Sequence, residues 1–340
     1  MMRRLFLGFS LGISLIAVAS CVEVRGAAIP SRLSDHDFWQ IVTDSSEASG
    51  YFRSENLTSN ELGFQYVIPD LISRTRPHGV YFGVGPEQNF TYMAAVRPAI
   101  AIIFDIRRGN MFLQLMYKAL FELAGDRADF LSMLFSKPRP SGVGPGSTAP
   151  DLFAAFAAST ASDALYRLNF RAIQDRLTMT HHLPLSADEL AGIDHVYAAF
   201  YQNGVTVRRW PTYTELMTQT DGTGTGRSYL ATEANFAFLK DLESRNLVIP
   251  VVGDFGGPKA IRAVGTYLRA HGATVTAFYL SNVEQYLYQD DKWTTFCKNV
   301  AALPLDASST FIRSSSTGNG EFVSSLGAMA TEVQACGGTW

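Results

Sequence analysis

Gly79-Val80-Tyr81-Phe82-Gly83-Val84-Gly85-Pro86, a helical run over 87–96, and then Ala99-Ile100-Ala101-Ile102-Ile103-Phe104-Asp105 decide how this chain folds. The outer blocks are short apolar runs rich in β-branched and aromatic residues, which predicts two buried strands. Strand, glycine turn, helix, strand is a βαβ unit, and parallel crossovers of this kind are almost always right-handed. Glycine at Gly83 and Gly85 lets the backbone bend sharply and lets a ligand approach, because no Cβ intrudes. Pro86 suits a first helical position, where its missing N–H costs nothing. Asp105 closes the second strand about 20 residues after Gly85, where an acid would accept hydrogen bonds from ribose hydroxyls. The bend and the carboxylate together predict a crevice for a ribose-bearing small molecule.

Downstream, apolar residues recur at helical spacing over 110–135 (Met111, Leu113, Leu115, Met116, Leu120, Leu123). A Pro- and Gly-rich stretch over 137–150 breaks the pattern, which returns over 151–201 with a helix start at Ser186-Ala187-Asp188-Glu189. Residues 110–201 therefore read as a helical insertion. Strand and helix alternation resumes with Val205-Thr206-Val207-Arg208-Arg209, a helix over 232–244 and the strand Leu247-Val248-Ile249-Pro250-Val251-Val252. The turn Gly253-Asp254-Phe255-Gly256-Gly257-Pro258 follows, then a helix over 259–270, a strand over 274–280, a helix over 293–302 and a last strand at Thr310-Phe311-Ile312-Arg313. At least five parallel strands separated by helices predict an α/β, doubly wound, mostly parallel, Rossmann-like domain over 76–340.

Upstream, residues 29–75 form a polar, Ser-rich lead-in expected to pack on that domain, with short helices from Leu33-Ser34-Asp35 and an extended Phe64-Gln65-Tyr66-Val67-Ile68-Pro69. Residues 1–28 read as a signal peptide: Arg3 and Arg4 precede an uncharged run over 5–18, too short for a span of about 20 residues. Val18-Ala19-Ser20-Cys21 matches a lipoprotein box, in which Cys21 would carry a membrane-attaching lipid, and Gly26-Ala27-Ala28 offers ordinary cleavage. An exported chain is expected, in the periplasm or attached to a membrane. Cys297 and Cys336 are then the mature cysteines, either one disulfide or two separate thiols.

The segment 81–105 resembles the first motifs of class I S-adenosylmethionine-dependent methyltransferases, with a looser likeness in strand order over 80–313. The resemblance implies a methyltransferase-like sheet holding S-adenosylmethionine on Gly83, Gly85 and Asp105, with Glu87 or Asn89 toward its methionine part. In that family an acid precedes the first glycine and a third glycine follows the second; here Tyr81 and Glu87 stand there. Val84-Gly85-Pro86-Glu87-Gln88-Asn89-Phe90, with Tyr279-Leu280-Ser281-Asn282-Val283-Glu284, also resembles an uncharacterised bacterial family. A nicotinamide fingerprint would need glycine where Gln88 stands.

Asp254 follows a strand in a glycine turn and is expected on the same crevice with the cofactor, while Tyr279, Asn282 and Glu284 follow the next strand as a substrate-facing wall. The competing reading makes each a cap or turn residue. No G-x-S-x-G, HExxH or Walker pattern occurs, His181-His182 reads as surface polar, and no metal is expected. The 340 residues are 47% apolar and 17% charged with a formal net charge of -3, ample for a large core and without the basic footprint that nucleic acid needs. Two functions remain: an exported methyltransferase-like protein with a small-molecule ligand, or an exported binding or structural protein with a degenerate cofactor site.

Overall fold

The computed structural model describes residues 28–207, 211–318 and 322–335. Its centre is one six-stranded sheet in the order β3-β2-β1-β4-β5-β6, built from β1 (Val80–Val84), β2 (Ile100–Asp105), β3 (Val248–Val252), β4 (Val275–Ser281), β5 (Thr310–Ser316) and β6 (Phe322–Ala328). The first five run parallel and β6 returns antiparallel on β5. β1 and β2 are buried along nearly their whole length, as continuous apolar runs with both faces covered must be. Pro250, which cannot donate to a ladder, is tolerated because β3 is an edge strand.

The lead-in carries α1 (Asp35–Ser45), a 3-10 turn (Phe64–Val67) and α2 (Ile68–Arg74). The segment 64–69 is thus helical rather than extended: Gly63 at φ +78 turns the chain, and Pro69 sits in the first turn of α2, where a proline is welcome. α3 (Gln88–Val96) joins β1 to β2. Between β2 and β3 lie α4 (Arg108–Leu123), α5 (Arg127–Leu134), α6 (Ala149–Ala158), α7 (Asp163–Asp175), a π turn (Arg176–Thr180), α8 (Ala187–Asn203), α9 (Tyr213–Thr218) and α10 (Glu233–Ser244). The helical insertion therefore continues past residue 201. The expected strand at 205 is absent: Gly204–Thr206 closes a 3-10 turn after α8, and Arg208 and Arg209 lie outside the described residues. The start of α8 is a capping box, with Ser186 and Glu189 exchanging hydrogen bonds.

α11 (Ala260–Ala270), α12 (Val283–Gln289), α13 (Trp293–Ala301) and α14 (Met329–Ala335) complete the chain. α10 packs on α3 and α4, while α11 packs on α1 and α13. The structure is a mixed α/β fold around one mostly parallel six-stranded sheet, and the usual right-handed crossover would set these two helix groups on opposite faces of it. Among the described residues no helix is long and apolar enough to cross a membrane. Cys297 on α13 is disulfide-bonded; Cys336, its partner in one of the two expected arrangements, lies outside the described residues, as do Cys21 and the rest of the expected signal segment up to Ala27.

A buried ionic cluster clips α1 to the insertion. His181 is not a surface residue: its Nδ1 meets Asp35 at 2.6 Å and its Nε2 meets Glu122 at 2.7 Å. Lys118 donates to Glu122 at 2.8 Å and to the Glu243 carbonyl at 2.6 Å. His182 beside it is exposed, in a left-handed turn at φ +51. The two carboxylates raise the His181 pKa against burial, which acts to lower it, and their own are held down by the histidine and Lys118. Burial pushes the fully enclosed Glu243 carboxyl up to about 8.

Both raised groups bind protons more tightly in the folded state, so their contribution is complete at mildly acidic pH and drains as pH climbs through their folded values. The thermal midpoint is expected to peak near about pH 5 and fall toward about pH 9. Glu243→Gln should flatten that fall and raise the midpoint on the alkaline side, read by circular dichroism melts across pH. An unchanged alkaline slope would refute the assignment.

Candidate functional site

β1, β2 and β3 step one way across the sheet and β4 and β5 step the other, so the succession reverses between β1 and β4. Loops diverge at such a reversal and leave a crevice beyond the carboxyl ends. A cleft of about 170 Å³ opens there. Its floor is Val84, Gly85 and Pro86 at the end of β1, Asp105 and Ile106 at the end of β2, Gly253, Asp254 and Phe255 after β3, and Tyr279, Ser281 and Asn282 at the end of β4. The lead-in supplies a roof of Tyr51, Phe52, Asn56, Thr58, Ser59 and Asn60, and the α12 side adds Tyr286, Asp290 and Lys292.

Gly85 takes φ +75, and a Cβ there would meet nothing within 4 Å, so this glycine faces open space. Gly83 does not reach the cleft. A Cβ on it would strike the carboxamide of Asn89 and the ring of Tyr81. Asn89 is also no cleft residue: its Oδ1 accepts from Tyr81 Oη at 2.9 Å, and its Nδ2 donates to the carbonyls of Val84 at 2.9 Å and Pro86 at 2.7 Å. Tyr81, standing where an acid was looked for, thus anchors the residue that shapes the turn. Glu87 is buried and accepts the Ser59 N–H at 3.2 Å, tying the roof to the turn.

Asp105 is only 7% exposed yet lines the cleft. Its Oδ1 accepts Arg107 N–H at 2.8 Å and its Oδ2 accepts Arg107 Nη2 at 3.0 Å. Burial pushes the carboxyl up from its ordinary value and Arg107 opposes the shift. Each oxygen keeps a further acceptor site. Asp254 lines the cleft while accepting from Gly256 N–H at 2.8 Å and Lys292 Nζ at 2.6 Å. Tyr279 and Asn282 are wall residues as expected, but Glu284 is turned away into an ion pair with Arg313 at 2.7 Å.

Residues that the motif reading passed over complete the site. Glu47 of the lead-in accepts from the N–H groups of Asp254 (3.2 Å), Lys259 (2.8 Å) and Ala260 (2.8 Å), so its own carboxylate fills the anion position at the start of α11. Behind the roof, Gln88 donates to Glu61 at 2.9 Å, and Ser59 and Ser281 donate to Gln88 and Glu61 respectively. No spacing rule ties residue 61 to residue 281; only the lead-in's return over β1 brings them together. Among the described residues no group of three or more His, Cys, Asp and Glu could hold a metal ion.

Gly83→Ala should cost about 1–3 kcal/mol by overpacking against Asn89, whereas Gly85→Ala should cost about 1 kcal/mol through its positive φ alone. Urea unfolding midpoints of the two variants give the comparison, and a larger loss at Gly85 would contradict the packing described.

A family model described as a domain of unknown function (DUF7790) matches residues 56–141 and 170–335. No curated protein matches the chain. The matched residues carry the β1 turn, Asp105, Asp254, Glu61 and Ser281, while Glu47, Tyr51 and Phe52 precede them. The chain belongs to this family of domains of unknown function.

Proposed function

We propose that the cleft binds a nucleoside-bearing small molecule, with S-adenosylmethionine the first candidate, in an exported protein with a methyltransferase-like Rossmann sheet. The observation that carries the reading is that the open glycine at Gly85 and the carboxylate of Asp105 face one cleft at the reversal of strand order. Gly85 leaves a cradle that a Cβ would invade, and Asp105, held still by Arg107, presents remaining acceptor sites to vicinal hydroxyls. Tyr279, Tyr286 and Phe255 supply apolar surface for a base. S-adenosylmethionine would bring a transferable methyl group; the chain's part is to align it with an acceptor and exclude water.

About 170 Å³ is small beside the roughly 300–1,000 Å³ of small-molecule sites, so a nucleoside requires the outer roof over 51–56 to lift while Ser59 stays tied to Glu87 and Gln88. Its fastenings suit that: Tyr51 is 85% exposed, and Glu55 is held by the exposed His195 at 2.8 Å and by Arg107 through its carbonyl. Glu47 already occupies the α11 N-terminus, which directs a ligand toward β1, β2 and β4. Export is supported by the signal pattern and by the disulfide at Cys297, since disulfides persist in oxidising compartments. The second reading, an exported binding protein with a degenerate site, is favoured by Arg107 sitting on Asp105.

Isothermal titration of the mature chain with adenosylmethionine and adenosylhomocysteine should give micromolar binding that Asp105→Ala weakens at least about tenfold, the loss expected for hydrogen bonds to a charged acceptor. No heat with either ligand would overturn the cofactor reading, and native mass spectrometry of the purified chain would then identify what the degenerate site carries.

A further inference from the structure

We infer that Ser281 and Glu61 form a proton-relay pair on the β4 side of the cleft, set to take the proton of a hydroxyl or amine on a second substrate. The inference deepens the proposed function, because it rests on the cleft being a group-transfer site. It names the acceptor class and the residues that would activate it.

Three features of the backbone and side chains converge on Ser281. The pairing of β4 with β5 slips between Tyr279 and Ser281, a bulge of the kind that re-aims a side chain beside a functional site. Ser281 then takes φ +53, a left-handed conformation for a residue that has a Cβ. The result puts its hydroxyl both on the cleft wall and in a hydrogen bond to Glu61 Oε1. Strain held at a strand end, with the side chain facing a cleft, points to use rather than to packing alone.

Glu61 differs from the other buried or capping glutamates around the cleft. Glu47 and Glu87 accept backbone N–H groups, as caps and clamps do. Glu61 is met by side chains that can reorient or exchange protons: Ser281, Gln88 at 2.9 Å and the hydroxyl of Tyr279. Ser314 of β5 also meets it, Tyr81 of β1 and Tyr92 of α3 lie close enough to feel its charge, and among the described residues no Lys, Arg or His forms an ion pair with it. Enclosure in this uncharged shell raises its pKa above the ordinary carboxylate value, the direction that strengthens it as a base once ionised. In the relay the substrate O–H or N–H bond breaks with its electrons left on the nucleophile. That proton passes to Ser281 Oγ as the Ser281 proton passes to Glu61, so an ionised Glu61 becomes neutral and Ser281 is unchanged.

A serine that can hand its proton to Glu61 across an open wall is itself nucleophilic, and phenylmethanesulfonyl fluoride reads this directly. Oγ bonds to sulfur, the S–F bond breaks, fluoride leaves and the proton goes to Glu61. With the intact mature chain, peptide mapping should place the label on Ser281, and the rate should rise with pH as Glu61 ionises. Glu61→Gln should slow labelling about 100-fold, the lower end of what a positioned base contributes. A folded wild-type protein unlabelled at Ser281, or equal rates in the two proteins, would overturn the relay. Should Glu61→Gln fail to fold, the wild-type profile decides, and a flat one sinks the idea. Adenosylmethionine titration is independent of this reagent: labelling without binding defeats the cofactor reading alone, and binding without labelling defeats the relay alone.

Discussion

The carboxamide of Asn89 holds the site together. One side chain takes the Tyr81 hydroxyl and returns hydrogen bonds to the carbonyls around Gly85, so the turn after β1 has a fixed shape before any ligand or roof is added. Gln114 of α4 adds a bond to the Gly85 carbonyl at 3.0 Å. Hydrogen bonds buried together in this way reinforce one another and hold the turn in place. The glycine at Gly83 is a requirement of the network, since Asn89 lies where a Cβ would stand. Gly85 alone is left for contact with whatever enters.

The lead-in is then part of the site rather than a cover laid over it. Glu87 receives the Ser59 N–H, Glu61 gathers Gln88 and Ser281, and Glu47 caps α11, so three carboxylates join residues before β1 to three different strand ends. A second tie lies by the outer edge at β3, where Asp35, His181, Glu122 and Lys118 exchange charge-assisted hydrogen bonds. Removing one member from such a buried group leaves its partner desolvated and unpaired, a larger loss than the bond itself. That asymmetry explains how a polar, Ser-rich segment is pinned at Asp35, Glu47, Ser59 and Glu61.

What the sequence disclosed followed the range of its signals. Continuous apolar runs marked β1 to β5, and the S-x-x-E pattern at Ser186 marked the start of α8, because both are local patterns that the sheet and helix require. The run at Val205 misled: its alternating apolar residues serve a turn packed into the insertion, where burial overrides strand propensity. β6 was hidden because its half-exposed Phe322–Ala328 run is rich in Ser and Gly. At the site, Gly85, Asp105, Asp254, Tyr279 and Asn282 were legible from strand ends, whereas Asn89, Glu87 and Glu284 were assigned by proximity in sequence and turn elsewhere. Glu61 and Glu47 left no trace, since their roles exist only after a long-range closure.

The ladder between β2 and β3 joins Ala101 to Val248, with the whole helical insertion looped out between them, whereas β1 joins β2 across a single short helix. Closing so long a loop carries an entropic cost that grows only logarithmically, but contacts of that span slow the search for the native state. Until the insertion condenses, β2 presents a bare row of amides and carbonyls on its outer side, the kind of edge that recruits other chains. The order in which this molecule assembles is therefore written in its topology: the first βαβ crossover can form early, and the flank that protects it must arrive from the far half of the polypeptide.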